Sequence, residues 1–300
     1  MLKNALKEKT KKSERCIIFI DELPAMDAEN SNVAGAIGYF WNSWASLQDR
    51  VVLIICGSAT SWMITHVIDS KGGLHDRLTE EMPIHPFTLH EVEAYLNEHQ
   101  FVWNRQMMLQ SYMIFGGIPY YLSLLDNRES LIQNIDRLFF SRDTKMRREF
   151  RRLFNTLYKH PERYIEIVKS LSKSRQGMTR EQLAKELKCA NNGHLGNKLE
   201  DLVQCDLIRK NIVREKEIKG KDAIYQLCDF FSLFYLTFVD RAEIETEYWS
   251  HHINTPEVNT WMGLAYERIC MAHIPQIKRA LRIDGISTLN YTSRSEERFS

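Results

Sequence analysis

Two short, uninterrupted apolar runs lie near the start of the chain, Cys16-Ile17-Ile18-Phe19-Ile20 and Val51-Val52-Leu53-Ile54-Ile55-Cys56. Neither alternates apolar with polar, and both are rich in β-branched side chains. That pattern predicts strands covered on both faces of a parallel sheet. Between them Val33, Ile37, Phe40, Trp41 and Trp44 recur at helical spacing, so 33–47 reads as an amphipathic helix. Strand, helix, strand in this order predicts a βαβ unit with a right-handed crossover. Pro83 and Pro86 then hold 82–87 extended, because residues before proline avoid the α region. Thr88 and Glu91 have the spacing of a capping box, which predicts a helix running to about Asn97.

From Met107 the pattern is helical. Gly116-Gly117-Ile118-Pro119 interrupts it, 120–125 restarts a helix, and Arg147 to Arg152 form a basic run. Pro161 marks a boundary. Beyond it, 162–171, 179–187 and 195–205 read as short helices, and 207–213 and 223–228 as strands around the charged loop 214–221. Three helices followed by a two-stranded ribbon is the layout of a winged helix. An aromatic stretch, 230–239, leads to a closing amphipathic helix over 261–281.

The 300 residues, 44% hydrophobic and 26% charged, give room for more than one packed core. The pattern divides them at 1–88, 89–160, 161–240 and 241–300. A net charge of +1 gives no global pull towards nucleic acid or acidic membranes. The 6 cysteines form no CxxC pair and read as buried, reduced thiols. No apolar stretch approaches the ~20 residues of a membrane helix. Met1 to Arg15 is basic, without the apolar core of a signal peptide. The expectation is a cytoplasmic protein with no membrane partner.

The candidate chemistry sits where the two apolar runs end. Asp21 and Glu22 follow the first, at the carboxyl end of the strand, where open α/β sheets hold ligands. An Asp at such a position also serves simply to cap a turn. The second run ends in Gly57-Ser58-Ala59-Thr60, which combines a tight turn with hydroxyls.

Several segments along the chain carry a resemblance: IIFIDELP, LIICGSATSWM, LHDRLTEEMPIHPFT, GGIPYYL, MTREQLAKEL, YQLCDFFSLFYLTFV and GLAYERICMAHIPQIKRAL. In this order they resemble the AAA+-like archaeal and bacterial ATPases that carry a winged helix and a C-terminal restriction-endonuclease-like region. The resemblance implies an α/β P-loop NTPase core with a parallel sheet, then a helical lid, a winged helix and a partial α/β tail. It implies ATP and Mg²⁺, with Asp21 as the Walker B acid on the Mg²⁺ side and Glu22 as the base that orients the attacking water. Ser58 takes the sensor role, Thr60 is a further hydroxyl near the nucleotide, and Arg77 reaches towards a phosphate.

Departures from the family pattern set further expectations. No G-x-x-x-x-G-K-[ST] loop precedes the first strand, so the chain is expected to be truncated there and weak or inactive alone. Glu267 matches the family's early helix glutamate, but no strand pair with the remaining nuclease acids follows, so the tail too is expected to be partial. On the winged helix, Asn191, Asn192, His194, Asn197 and Lys198, with Lys216, Lys219 and Lys221 of the wing, are placed to meet DNA. Glu200, Asp201, Glu215 and Glu217 dilute that field, which leaves protein contact, self-association or a spacer as the other readings. A non-enzymatic DNA- or protein-binding module is the alternative to an ATPase.

Overall fold

The computed structural model describes residues 15–27, 31–58, 60–69, 72–74, 76–142, 144–212, 223–242 and 247–286, with 4 and 6. The wing loop with Lys216, Lys219 and Lys221 and the tail 287–300 lie outside the described residues. The chain divides into two compact units, 1–84 with 155–161 and 85–154 with 162–300.

In the first unit β1 (Cys16–Ile20) and β2 (Val51–Ile55) pair in parallel, Cys16 opposite Val51 and Ile20 opposite Ile55. Helix α1 (Val33–Ser43) lies between them in sequence, with the Asn32 side chain capping it by accepting from Gly35 N–H at 2.8 Å. Phe40 and Trp44 pack on Ile18 and Val51, while Ile37 joins Leu23, Val67 and Leu74. The helix stops earlier than its spacing predicts, because Trp44 leaves helical geometry and a tight turn, Ala45–Leu47, follows. A short helix, α2 (Thr60–Met63), comes after β2.

The expectation of strands covered on both faces is corrected. Ile18 and Val51 are 8% exposed, but Ile17 and Phe19 are 65% and 60% exposed and Val52 and Ile54 43%. Among the described residues a single helical layer covers a two-stranded sheet, and a uniformly apolar run does not reveal how many of its faces find a cover.

The second unit opens with α3 (Leu89–Glu98), whose start carries the expected capping box. Thr88 caps the helix and Glu91 reaches back to accept Thr88 N–H at 2.7 Å. Four helices continue the chain: α4 (Arg105–Phe115), α5 (Pro119–Leu122), α6 (Leu131–Ile135) and α7 (Lys145–Leu157). Gly117, between α4 and α5, lets two backbones touch, since a Cβ there would lie 1.9 Å from Phe87 O.

Next come α8 (Glu162–Ser172), β3 (Met178–Thr179), α9 (Arg180–Glu186), α10 (Gly193–Gln204), β4 (Ile208–Ile212) and β5 (Ala223–Leu227). Helices α8, α9 and α10 stand beside an antiparallel sheet ordered β3-β5-β4. The strand β3 adds a third member to the expected ribbon; two residues carry no periodicity to announce it.

The last elements are α11 (Phe230–Phe234), α12 (Tyr248–His252), α13 (Pro256–Ala272) and α14 (Ile274–Ala280). The aromatic stretch packs as a core in which Phe139, Phe231, Phe234 and Trp249 are fully buried. Asp136 ties α12 to it, accepting Trp249 N–H at 2.7 Å and the Ser250 hydroxyl at 2.5 Å. The closing helix is two helices, broken at His273, whose Nε2 accepts Leu89 N–H at 2.9 Å. No helix among the described residues is long and apolar enough to cross a membrane.

Candidate functional site

Parallel pairing brings the carboxyl ends of β1 and β2 to the same edge, and the ladder runs one step beyond the strands. Cys56 N–H donates to Ile20 O at 3.0 Å and Leu23 N–H to Cys56 O at 2.9 Å. Asp21 and Glu22 occupy the two positions between these bonds. Glu22 adopts a left-handed backbone, φ 50°, and Leu23 beyond it is completely buried. A non-glycine residue held there costs on the order of 1–3 kcal/mol and persists only where its surroundings fix it. Pro24, in the first turn of the short helix Leu23–Met26, and buried Leu23 provide that anchor.

The geometry joins two of the expected side chains directly and gives the third an unforeseen partner. Ser58 Oγ donates to Glu22 Oε1 at 2.7 Å, and Ser58 N–H donates to the same oxygen at 3.2 Å. Gly57 makes this approach possible, because a Cβ there would stand 2.5 Å from Pro24 Cδ. Cys56 Sγ donates to Asp21 Oδ1 at 2.7 Å. That bond to Asp21 is the main reason the thiol is pushed above its ordinary value, so Cys56 stays protonated at neutral pH. The thiol's part was not legible in the sequence, where Cys56 reads as one more apolar residue ending a strand. Only the register of β1 against β2 gives it its partner.

Asp27 is a further acid that sequence reasoning passed over. It accepts from Trp62 Nε1 at 2.9 Å and from Ser31 Oγ at 3.1 Å, and the bond from Trp62 leads the lowering of its carboxyl below the ordinary range. It therefore ties the turn after β1 to the segment after β2.

The other expected residues do not join the dyad. Thr60 opens α2, but its side chain lies outside the described residues. Arg77 is exposed, its N–H donating to Leu74 O at 3.1 Å, with no ion pair to Asp21 or Glu22. At the start of α10 the Asn192 side chain is spent capping Leu195 N–H at 3.2 Å. The Lys198 ammonium sits over the Tyr164 ring at 4.1 Å, and burial lowers its pKa. His194 and Asn197 are exposed. Glu267 is exposed on α13.

Among the described residues no three His, Cys, Asp or Glu side chains gather into a metal cage. Mg²⁺ does not require one, since it keeps several waters and takes one or two carboxylates plus phosphate oxygens. Exposed Asp21, whose Oδ2 meets no hydrogen-bond donor among the described residues, fits that limited role.

The described residues form a mostly helical α/β chain with a small parallel sheet, whose strand ends hold an acid pair against a serine, and the chain is similar in fold to a Walker-type ATPase. Among solved structures it is similar to the Walker-type ATPase of Pyrococcus abyssi, with TM-score 0.55 and 14% identity over 78% of this chain and 67% of that one. In sequence it is similar to an uncharacterized protein of Methanocaldococcus jannaschii, 23% identical over 274 residues, 88% of this chain. The chain spans 58% of that relative's length. No protein-family model matches.

Proposed function

We propose that the carboxyl edge of β1 and β2 is the acid half of a Walker-type ATPase site. The observation that carries this is the 2.7 Å bond from Ser58 Oγ to Glu22 Oε1 across the two parallel strands, beside Asp21. When bound, Mg²⁺ would neutralise developing phosphate charge. Asp21 would hold it through water, and Glu22 would take a hydrogen bond from the attacking water through the oxygen that Ser58 leaves free. Ser58 holds the carboxylate by its hydroxyl and N–H, and in this reading its hydroxyl would act as the sensor of the phosphate end of the nucleotide.

The sequence contains no glycine-rich loop with a following Lys-Ser or Lys-Thr. Backbone amides and a lysine on the β- and γ-phosphates supply the largest electrostatic attraction in such sites. Without them this reading expects weak ATP binding, anchored through Mg²⁺, and no phosphate release above background. The test is the melting temperature in millimolar ATP. A rise that needs Mg²⁺ and disappears in Asp21→Asn supports the reading. No rise, or one that survives the substitution, contradicts it.

For 162–227 we infer a winged helix, supported by the helix order and the β3-β5-β4 sheet. With Asn192 and Lys198 already engaged, its DNA reading rests on exposed Asn191, His194 and Asn197 and on the wing lysines outside the described residues. A duplex-binding assay at low salt tests it, and absence of binding there removes DNA from the partners.

A further inference from the structure

The second unit buries a guanidinium that no described residue pairs with. Arg268 on α13 is 8% exposed, and its Nε has no hydrogen-bond partner among the described residues. No ion pair or hydrogen bond to another described residue engages the rest of the group. Taking an unpaired charge out of water is among the least favourable things a fold can do.

A second arginine, Arg209, lies near enough for its charge to act on Arg268. Arg209, half-buried on β4, likewise has no hydrogen-bond or ion-pair partner among the described residues. Ile208 lies opposite Leu227, and Cys228 N–H donates to Leu207 O at 3.0 Å. Pleat alternation therefore puts Arg209 on the face of Leu207 and Cys228. The Cys228 thiol feels both cations, and Arg209 and Arg268 repel each other.

Among the described residues, no nearby acid forms an ion pair with either guanidinium. Burial pushes the Cys228 thiol up to about 12, so it is neutral. Asp206 is engaged by His85 Nδ1 at 3.1 Å. Asp229 accepts Ser232 N–H at 2.8 Å, and burial raises its pKa. Glu267 attracts Arg268 from an exposed position without forming an ion pair.

We propose that Arg209 and Arg268 bind a phosphate dianion, either inorganic phosphate or the terminal group of a phosphate monoester. Two guanidinium forks match two pairs of phosphate oxygens, and a double negative charge neutralises both cations. A phosphodiester within a nucleic-acid strand has one charge and is linked on both sides, so it suits a site this buried poorly.

The test is the melting temperature of the full chain in inorganic phosphate against chloride at equal ionic strength. At about ten times the dissociation constant, phosphate is expected to raise it by about 4 °C. Arg268→Met and Arg209→Met should each lose that rise. Arg268→Met should also melt higher than the unsubstituted protein in chloride, because its stranded charge is gone. If Arg268→Met does not fold, Arg209→Met, at the more exposed position, decides alone. Absence of a phosphate-specific rise, or an equal rise in the folded variants, overturns the proposal. A dinucleotide without a terminal phosphate should give no rise, and one equal to phosphate's would overturn the monoester assignment.

Discussion

Glu22 combines an unfavourable backbone with a well-made side-chain contact, and Gly57 is what lets the two coexist. A methyl group at Gly57 meets the Pro24 ring at 2.5 Å, so Gly57→Ala must push apart the turns that hold Glu22 and Ser58. Its unfolding free energy should fall by about 1–3 kcal/mol in urea titration. Gly263, inside α13, is the control, because a methyl group there would meet nothing within 4 Å. Gly263→Ala should gain about 0.5–1 kcal/mol. Ser58→Ala removes one bond to a partly exposed carboxylate and should cost only about 1 kcal/mol. Its larger effect is expected on any Mg-ATP response. The acids and the serine were legible as strand-ending residues of suitable chemistry. Their hydrogen bond was not, because it depends on a register between segments 36 residues apart.

Among the elements, α3 shows what local sequence can specify. Its capping box occupies four consecutive residues, so Thr88 and Glu91 announce the helix start without any tertiary information. Thr88→Ala should lower stability by about 1 kcal/mol, measured by denaturant midpoint. Bonds from the Thr88 backbone and hydroxyl hold the Glu91 carboxyl below its ordinary value of 4.5. With a folded value lower than the unfolded one, the stabilisation is present above pH 4.5 and is lost as pH falls through the folded value. Glu91→Gln should therefore flatten the acid limb of melting temperature against pH. Other elements were not legible for reasons of the same kind. Strand β3 is two residues long, and the Leu89 bond to His273 at the helix break spans 184 positions, although Pro275 in the first turn of α14 is a local signal for that break.

On the scale of the molecule, the described residues of the first unit cover one face of its sheet. Ile17, Phe19, Val52 and Ile54 form an apolar surface on the sheet face away from α1. Contiguous apolar surface in water favours association, and a two-stranded sheet has open edges as well. The molar mass from light scattering should rise with protein concentration, and Phe19→Thr should reduce that rise while leaving α1's face of the sheet intact. The uniform apolar runs predicted strands correctly in kind but overstated their cover, because cover is a property of what packs on a strand.

In the proposed function Asp21, Glu22 and Ser58 meet the metal-bearing phosphate end of ATP. Phosphorus NMR of Mg-ATP titrated with the protein reads this at the atoms concerned. A shift and broadening largest at the γ-phosphate, abolished by EDTA and by Asp21→Asn, is the predicted result. A spectrum unchanged by the protein, or changed equally by Asp21→Asn, would contradict it.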